Sequence, residues 1–139
     1  MTTEKTKIIE RLVEEFWNQG NLAVADELLT PDFVNHDPVN PEVTNLEAYK
    51  QWASVMHKAF PDFHVTVEDT IVEGDKVVKR WTVTGTQKGE IMGIPPTGKQ
   101  INIQGIAIYR FAGDKIAEIW WGYDALGMLG QLGAFPPKE

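Results

Sequence analysis

The chain has 139 residues, enough for one domain with its own hydrophobic core, and no cysteine, which excludes disulfides, thiolate metal sites and a cysteine nucleophile. Its 13 basic and 20 acidic residues give a net charge of −7. With the basic residues scattered, that balance argues against nucleic acid or an anionic membrane as the main partner, and no apolar run approaches the ~20 residues that span a bilayer.

The amino terminus, MTTEKTKIIE, is charged and lacks the apolar stretch of a signal peptide, so the expectation is a cytoplasmic protein with a single domain over 1–139. From Lys5 to Asn18, Ile8, Ile9, Leu12, Val13, Phe16 and Trp17 recur at helical spacing between charged residues, which predicts an amphipathic helix. Gly20 ends it. Asn21 is placed to cap a short second helix through Leu22, Ala25, Leu28 and Leu29, stopped before Pro31. The segment Thr30–Asn45 holds three prolines among Asn and Asp residues and reads as loop. Asn45 then caps a third helix with Leu46, Tyr49, Trp52, Ala53, Met56 and Phe60 on one stripe, closed by Pro61.

Beyond Asp62 the apolar period falls to two. Phe63, Val65 and Val67 open a strand that continues through Ile71 and Val72, and Gly74-Asp75 turns it into a strand over Lys76–Gln87, read through Val78, Trp81 and Val83. The segment KGEIMGIPPTGK, Lys88–Lys99, is a loop. Ile101–Phe111 and Ile116–Tyr123 are two more strands about a tight turn at Gly113-Asp114, and a glycine-rich helical stretch covers Ala125–Leu132. Helices followed by long antiparallel strands define an α+β domain. Its curved sheet twists into a cone-shaped barrel, with about three amino-terminal helices on the concave face and a cavity at the open end.

Asp124 is the first candidate for chemistry. It follows Trp120, Trp121 and Tyr123, and a carboxylate in apolar surroundings has the raised pKa a general acid or base needs. The same position just before Ala125 suits a helix cap. His36, in Asn35-His36-Asp37-Pro38, is the second candidate, as the side chain that titrates nearest neutrality, although the segment also reads as a turn. His57 and His64 read as solvated or packing residues. No histidine pair or His–carboxylate cluster has metal-ligand spacing, and no phosphate-binding glycine pattern or nucleophilic serine elbow is present. No metal is therefore expected. Arg80 and Arg110 are expected on the outer face, paired with acids such as Glu68 or Glu118. The many aromatics suit a flat apolar ligand, and the candidate binding residues are Phe33, Asn35, Trp17, Trp52, Met56, Trp81, Ile106 and Trp120.

Several segments together resemble the SnoaL-like polyketide cyclases, part of the nuclear transport factor 2-like superfamily that includes ketosteroid isomerase. They are Phe33-Val34-Asn35-His36-Asp37, Ala59-Phe60-Pro61-Asp62-Phe63, Met92-Gly93-Ile94-Pro95-Pro96-Thr97-Gly98-Lys99, Gly105 to Phe111, Lys115 to Trp120, and Asp124 to Gly133. They occur in the family's order over nearly the whole chain. The resemblance implies the cone-shaped fold, often a homodimer packed through its sheets, and a cofactor-free intramolecular aldol-type ring closure on a small apolar or aromatic carbonyl compound. In that chemistry an aspartate near the end of the last strand, matched by Asp124, is the general acid/base. Asn35 and His36 are the implied donors to the developing oxyanion. The chain departs from the family by having no histidine within Gly105-Ile106-Ala107-Ile108, Ile119 before Trp120, and Trp121 at a position that is frequently acidic.

Two further readings remain open at this level. One is a binding module in which Asp124 only caps the last helix. The other is epoxide hydrolase-like activation of water by aspartate and arginine, which requires Arg80 or Arg110 inside the cone.

Overall fold

The apolar stripe of the first segment sets its conformation. In the computed structural model, which describes residues 4–134, helix α1 runs Glu4–Arg11 and continues as a π-helical stretch, Leu12–Asn18. That wider winding still drives Leu12, Val13, Phe16 and Trp17 into the core. Helix α2, Val24–Leu28, starts at Ala23 without a side-chain cap, so Asn21 does not play the part expected of it. Helix α3, Leu46–Ala59, starts as predicted, with the Asn45 side chain accepting from the Ala48 N–H at 2.9 Å.

The sheet has five strands: β1 Leu29–His36, β2 His64–Glu73, β3 Lys76–Thr86, β4 Gln100–Ala112 and β5 Lys115–Tyr123, in the order β1-β5-β4-β3-β2. Strands β2 to β5 form the expected antiparallel run, with Gly74 and Gly113 supplying the positive φ its two tight turns need. Strand β1 corrects the sequence reading, which took this stretch as loop. It pairs parallel with β5 through Val34↔Glu118, Asn35↔Ile119 and His36↔Trp120, so the sheet is mixed. Its edge position tolerates Pro31, and a register shift between Leu29 and Val34 absorbs the irregularity. Only Phe33 and Asn35 alternate inward with Val34 and His36, too short a signal to stand out among prolines.

Val77, Lys79, Trp81 and Val83 of β3 face the same buried side as Ile101, Ile103, Ala107, Tyr109 and Phe111 of β4. The helices cover this concave face and remove its apolar surface from water, the main favourable term in folding. Helix α3 packs on β1, the π-helical stretch on β2, and helix α4, Ala125–Gln131, on β4.

The segment after β3 is held by one buried side chain. Gln87 donates to the carbonyls of Gly89 and Ile94, both at 3.1 Å, and accepts from the Thr97 N–H and hydroxyl at 3.1 and 2.7 Å. This fixes the Met92 to Lys99 loop against the barrel. Residues 1–3 and 135–139 of the expected 1–139 domain lie outside the described residues, among which no helix is long and apolar enough to cross a membrane.

Candidate functional site

The inward side chains leave a cavity with an empty volume of about 680 Å³, counting the part open to solvent. The helices contribute Trp17, Tyr49, Trp52, Met56 and Met128, and the strands contribute Lys79, Trp81, Val83, Ile103, Trp121 and Tyr123. Met92, 39% exposed, brings the Gln87-anchored loop to the mouth. The aromatic wall is mutually packed. Trp17 and Trp81 meet Trp121 edge-on at 6.4 and 6.2 Å between ring centres, and Tyr49 stacks on Trp121 at 6.4 Å.

Two polar clusters are set into this wall. At the first, Asn35 donates to the Val43 carbonyl at 2.8 Å and accepts the Trp121 indole N–H at 2.7 Å, so both ends of its amide are engaged. At the second, Asp37 accepts four hydrogen bonds: from the backbone N–H groups of Val39 and Asn40, the Asn40 side chain and the Tyr123 hydroxyl, at 3.0 to 3.3 Å. Tyr123 in turn accepts from Asn40 at 3.0 Å. Burial and then the neighbouring Asp37 carboxylate raise the Tyr123 pKa, keeping it a donor. This second cluster is closed on itself.

Three polar groups of the cavity lack a partner among the described residues: the Trp81 indole N–H, the proton of the Tyr49 hydroxyl and the Lys79 amine. Tyr49 accepts the Trp17 indole N–H at 3.0 Å, and among the described residues nothing accepts the proton of its hydroxyl, which burial holds firmly in place by raising the pKa. Lys79 is 1% exposed and makes no hydrogen bond or ion pair among the described residues. Its Nζ lies 5.2 Å from the ring centre of Tyr109 and 5.6 Å from that of Trp121. The register explains the meeting: Lys79, Ala107 and Trp121 are directly opposite one another on β3, β4 and β5, and the small Ala107 lets the two outer side chains reach across. Burial pushes the Lys79 amine down to about 7.

The residues singled out from the sequence divide by location. Asn35, Trp17, Trp52, Met56 and Trp81 line the cavity. Phe33 is buried beside it, edge-on to Tyr49 at 5.4 Å, as part of the core. Ile106, 50% exposed, projects from the outer face because β4 alternates, and Trp120 lies on the same face stacked on His36 at 5.2 Å. His36 is exposed there, with Nε2 2.6 Å from Glu118. Asp124 is exposed and lies outside the cavity lining; its carboxylate accepts the Gly127 N–H at 2.7 Å as the cap of α4.

Arg80 pairs with Asp69 and Arg110 with Glu118, both on the outer face, so neither supplies the arginine that water activation requires. His57 bonds to the Trp17 carbonyl at 2.6 Å, and His64 is exposed on β2. Lys79 and Tyr49 were not read as polar site residues. For Lys79 a signal existed: it shares the two-residue phase of Val77, Trp81 and Val83, and tracing the strand through Val78 hid it.

A curved sheet closed by helices, with polar groups set into an aromatic cavity, is the form of a protein that encloses a small apolar molecule. The sequence model of the SnoaL-like polyketide cyclases matches residues 7–132, and the chain belongs to that enzyme family. A protein from Acidithiobacillus ferrooxidans named as a polyketide cyclase is similar at 31% identity and a TM-score of 0.86, over 96% of this chain and 97% of that one. IdmH from Streptomyces antibioticus, also named as a polyketide cyclase, is 32% identical with a TM-score of 0.81, over 94% and 99%. TsrD from Streptomyces laurentii is 29% identical with a TM-score of 0.86, over 95% and 96%. No curated protein matches.

Proposed function

We propose that the chain is a cofactor-free cyclase- or isomerase-type enzyme that moves a proton on a small apolar or aromatic carbonyl compound held in the cavity. The observation that carries this reading is the free Tyr49 hydroxyl within the aromatic wall. Deprotonation beside a carbonyl turns its oxygen into an enolate, and a fixed donor in a dry site stabilises that charge far better than water does. Tyr49 supplies the donor. The Asn35 amide fixes Trp121, and the Asp37–Asn40–Tyr123 cluster fixes the strand end, so the wall needs little rearrangement. Family membership and the similarity to proteins named as cyclases support the reaction type.

Aspartate general base catalysis by Asp124 is the reading the family motif favours, but its present position outside the cavity favours the capping role instead. Deuterium uptake at the α-carbon of 2-tetralone and related bicyclic ketones in heavy water tests the proposal. Wild type is expected to exceed buffer exchange by about 100-fold or more, with Tyr49→Phe losing most of that gain. Exchange at the buffer rate across the panel, with no quenching of tryptophan fluorescence, would refute the reading. Loss of exchange in Asp124→Asn would place the base at Asp124.

We further infer a homodimer packed through the outer sheet face. Val34, Ile106 and Ile108 are 40%, 50% and 37% exposed there, and Ile108 lies opposite Trp120.

A further inference from the structure

We propose that Lys79 is a nucleophilic amine that condenses with the aldehyde or ketone group of an apolar substrate, holding it as an imine within the cavity. The inference rests on the reading of the cavity as a carbonyl-compound site and names both the class of substrate and the residue that binds it covalently.

A lysine kept buried for structure is almost always paired. Lys79 is not. The carboxylate nearest in kind, Asp37, already accepts from four donors, and Asp124 stands outside the cavity. What surrounds the amine instead is the rings of Tyr109 and Trp121 and the methyl of Ala107, surfaces that tolerate an uncharged amine. Lys79 is also the sole cationic side chain lining the cavity among the described residues. Desolvation favours the free base near neutral pH, and the free base is the form that attacks a carbonyl.

The chemistry balances without a co-reactant other than water. The amine lone pair adds to the carbonyl carbon, and the carbonyl π electrons move to oxygen, which takes up a proton. Tyr49, which lines the same cavity with its proton uncommitted, is the donor assigned to this step. The nitrogen returns one of its protons to the Tyr49 oxygen and keeps the other, and the hydroxyl takes a second proton from solvent and leaves as water, so one water is released for each protonated C=N bond formed. A protonated imine draws electrons from the adjacent C–H bond. Loss of that proton to water gives an enamine, whose carbon can attack a second carbonyl of the same molecule, and addition of one water afterwards frees the amine. A substrate with an α-hydrogen and no charge near the carbonyl suits the apolar wall.

The test is trapping with 2-naphthaldehyde and sodium cyanoborohydride at pH 7, read by intact mass and peptide mapping. Tryptophan quenching by 2-naphthalenemethanol, which cannot condense, is measured alongside. The expected result is one naphthylmethyl group on Lys79, formed at least ~10-fold faster than on the other lysines, because the uncharged amine is the attacking form. Lys79→Met is expected to show no such adduct while still quenching with the alcohol, which establishes that it is folded with its cavity intact. Quenching in wild type without an adduct on Lys79 would overturn the imine and leave the cavity reading standing. Neither quenching nor adduct would overturn both.

Discussion

Trp121 on β5 donates its indole N–H to the side-chain oxygen of Asn35 on β1 at 2.7 Å, tying the parallel edge strand to the wall of the cavity. Asn35 is held in turn by the Val43 carbonyl.

Replacing Asn35 by Leu therefore leaves a buried indole N–H and a buried carbonyl without partners. The expected cost is about 2–4 kcal/mol, at roughly 1–2 for each orphaned group. Chemical denaturation measures it, and tryptophan emission should shift as Trp121 is released. An unchanged midpoint would show that the bond contributes nothing net.

Lys79 gives stability a pH dependence of defined sign. In the folded protein the amine titrates near 7, and in the unfolded chain near 10.5. Between those values the unfolded chain binds more protons, so stability rises with pH over that window, and the burial penalty is complete below about 7. At ~1.4 kcal/mol per pH unit this penalty is on the order of 5 kcal/mol. Lys79→Met is expected to stabilise the fold by up to that amount at pH 7 and below, with the gain shrinking toward pH 10.5. A gain independent of pH would mean the amine titrates normally.

The cap of α4 depends on two residues at once. Asp124 accepts the Gly127 N–H, and a β-carbon at Gly127 would collide with that carboxylate. Asp124→Ala should lower stability by about 1 kcal/mol, and Asp124→Asn, an equally good cap, by much less. Equal losses in the two variants would count against capping as the structural role.

Gly105 on β4 lies directly under the Trp81 indole, where an added β-carbon would overlap the ring. Gly105→Ala should push Trp81 into the cavity, lower the melting temperature and weaken quenching by 2-naphthalenemethanol. Overpacking of this kind typically costs 1–3 kcal/mol. Unaltered binding would show that Trp81 can move without narrowing the site.

The proposed homodimer can be tested on the outer face. Ile106→Glu places a charge in its apolar centre and is expected to convert a dimer to a monomer in sedimentation equilibrium. A wild-type protein that sediments as a monomer would remove the dimer from the proposal.

The sequence by itself determined the features governed by near neighbours. The helical stripe ending at Trp17, the Asn45 cap, the glycine turns at 74 and 113 and the outward arginines with acidic partners all depend on residues a few positions apart or on one alternation. The segments resembling the family were legible as well, and the family model spans them. The edge strand β1 and the meeting of Lys79 with Trp121 were decided by tertiary structure, as was the placing of Asp124 outside the wall while Tyr49 keeps a free proton within it. The physical reason is phase and register. A slip of one residue along a strand exchanges its buried and exposed faces, so reading β3 through Val78 instead of Val77 removes Lys79 from view. Partners across three strands are fixed only when the sheet is assembled, and burial, the force that lowers the Lys79 pKa, has no counterpart in a linear chain.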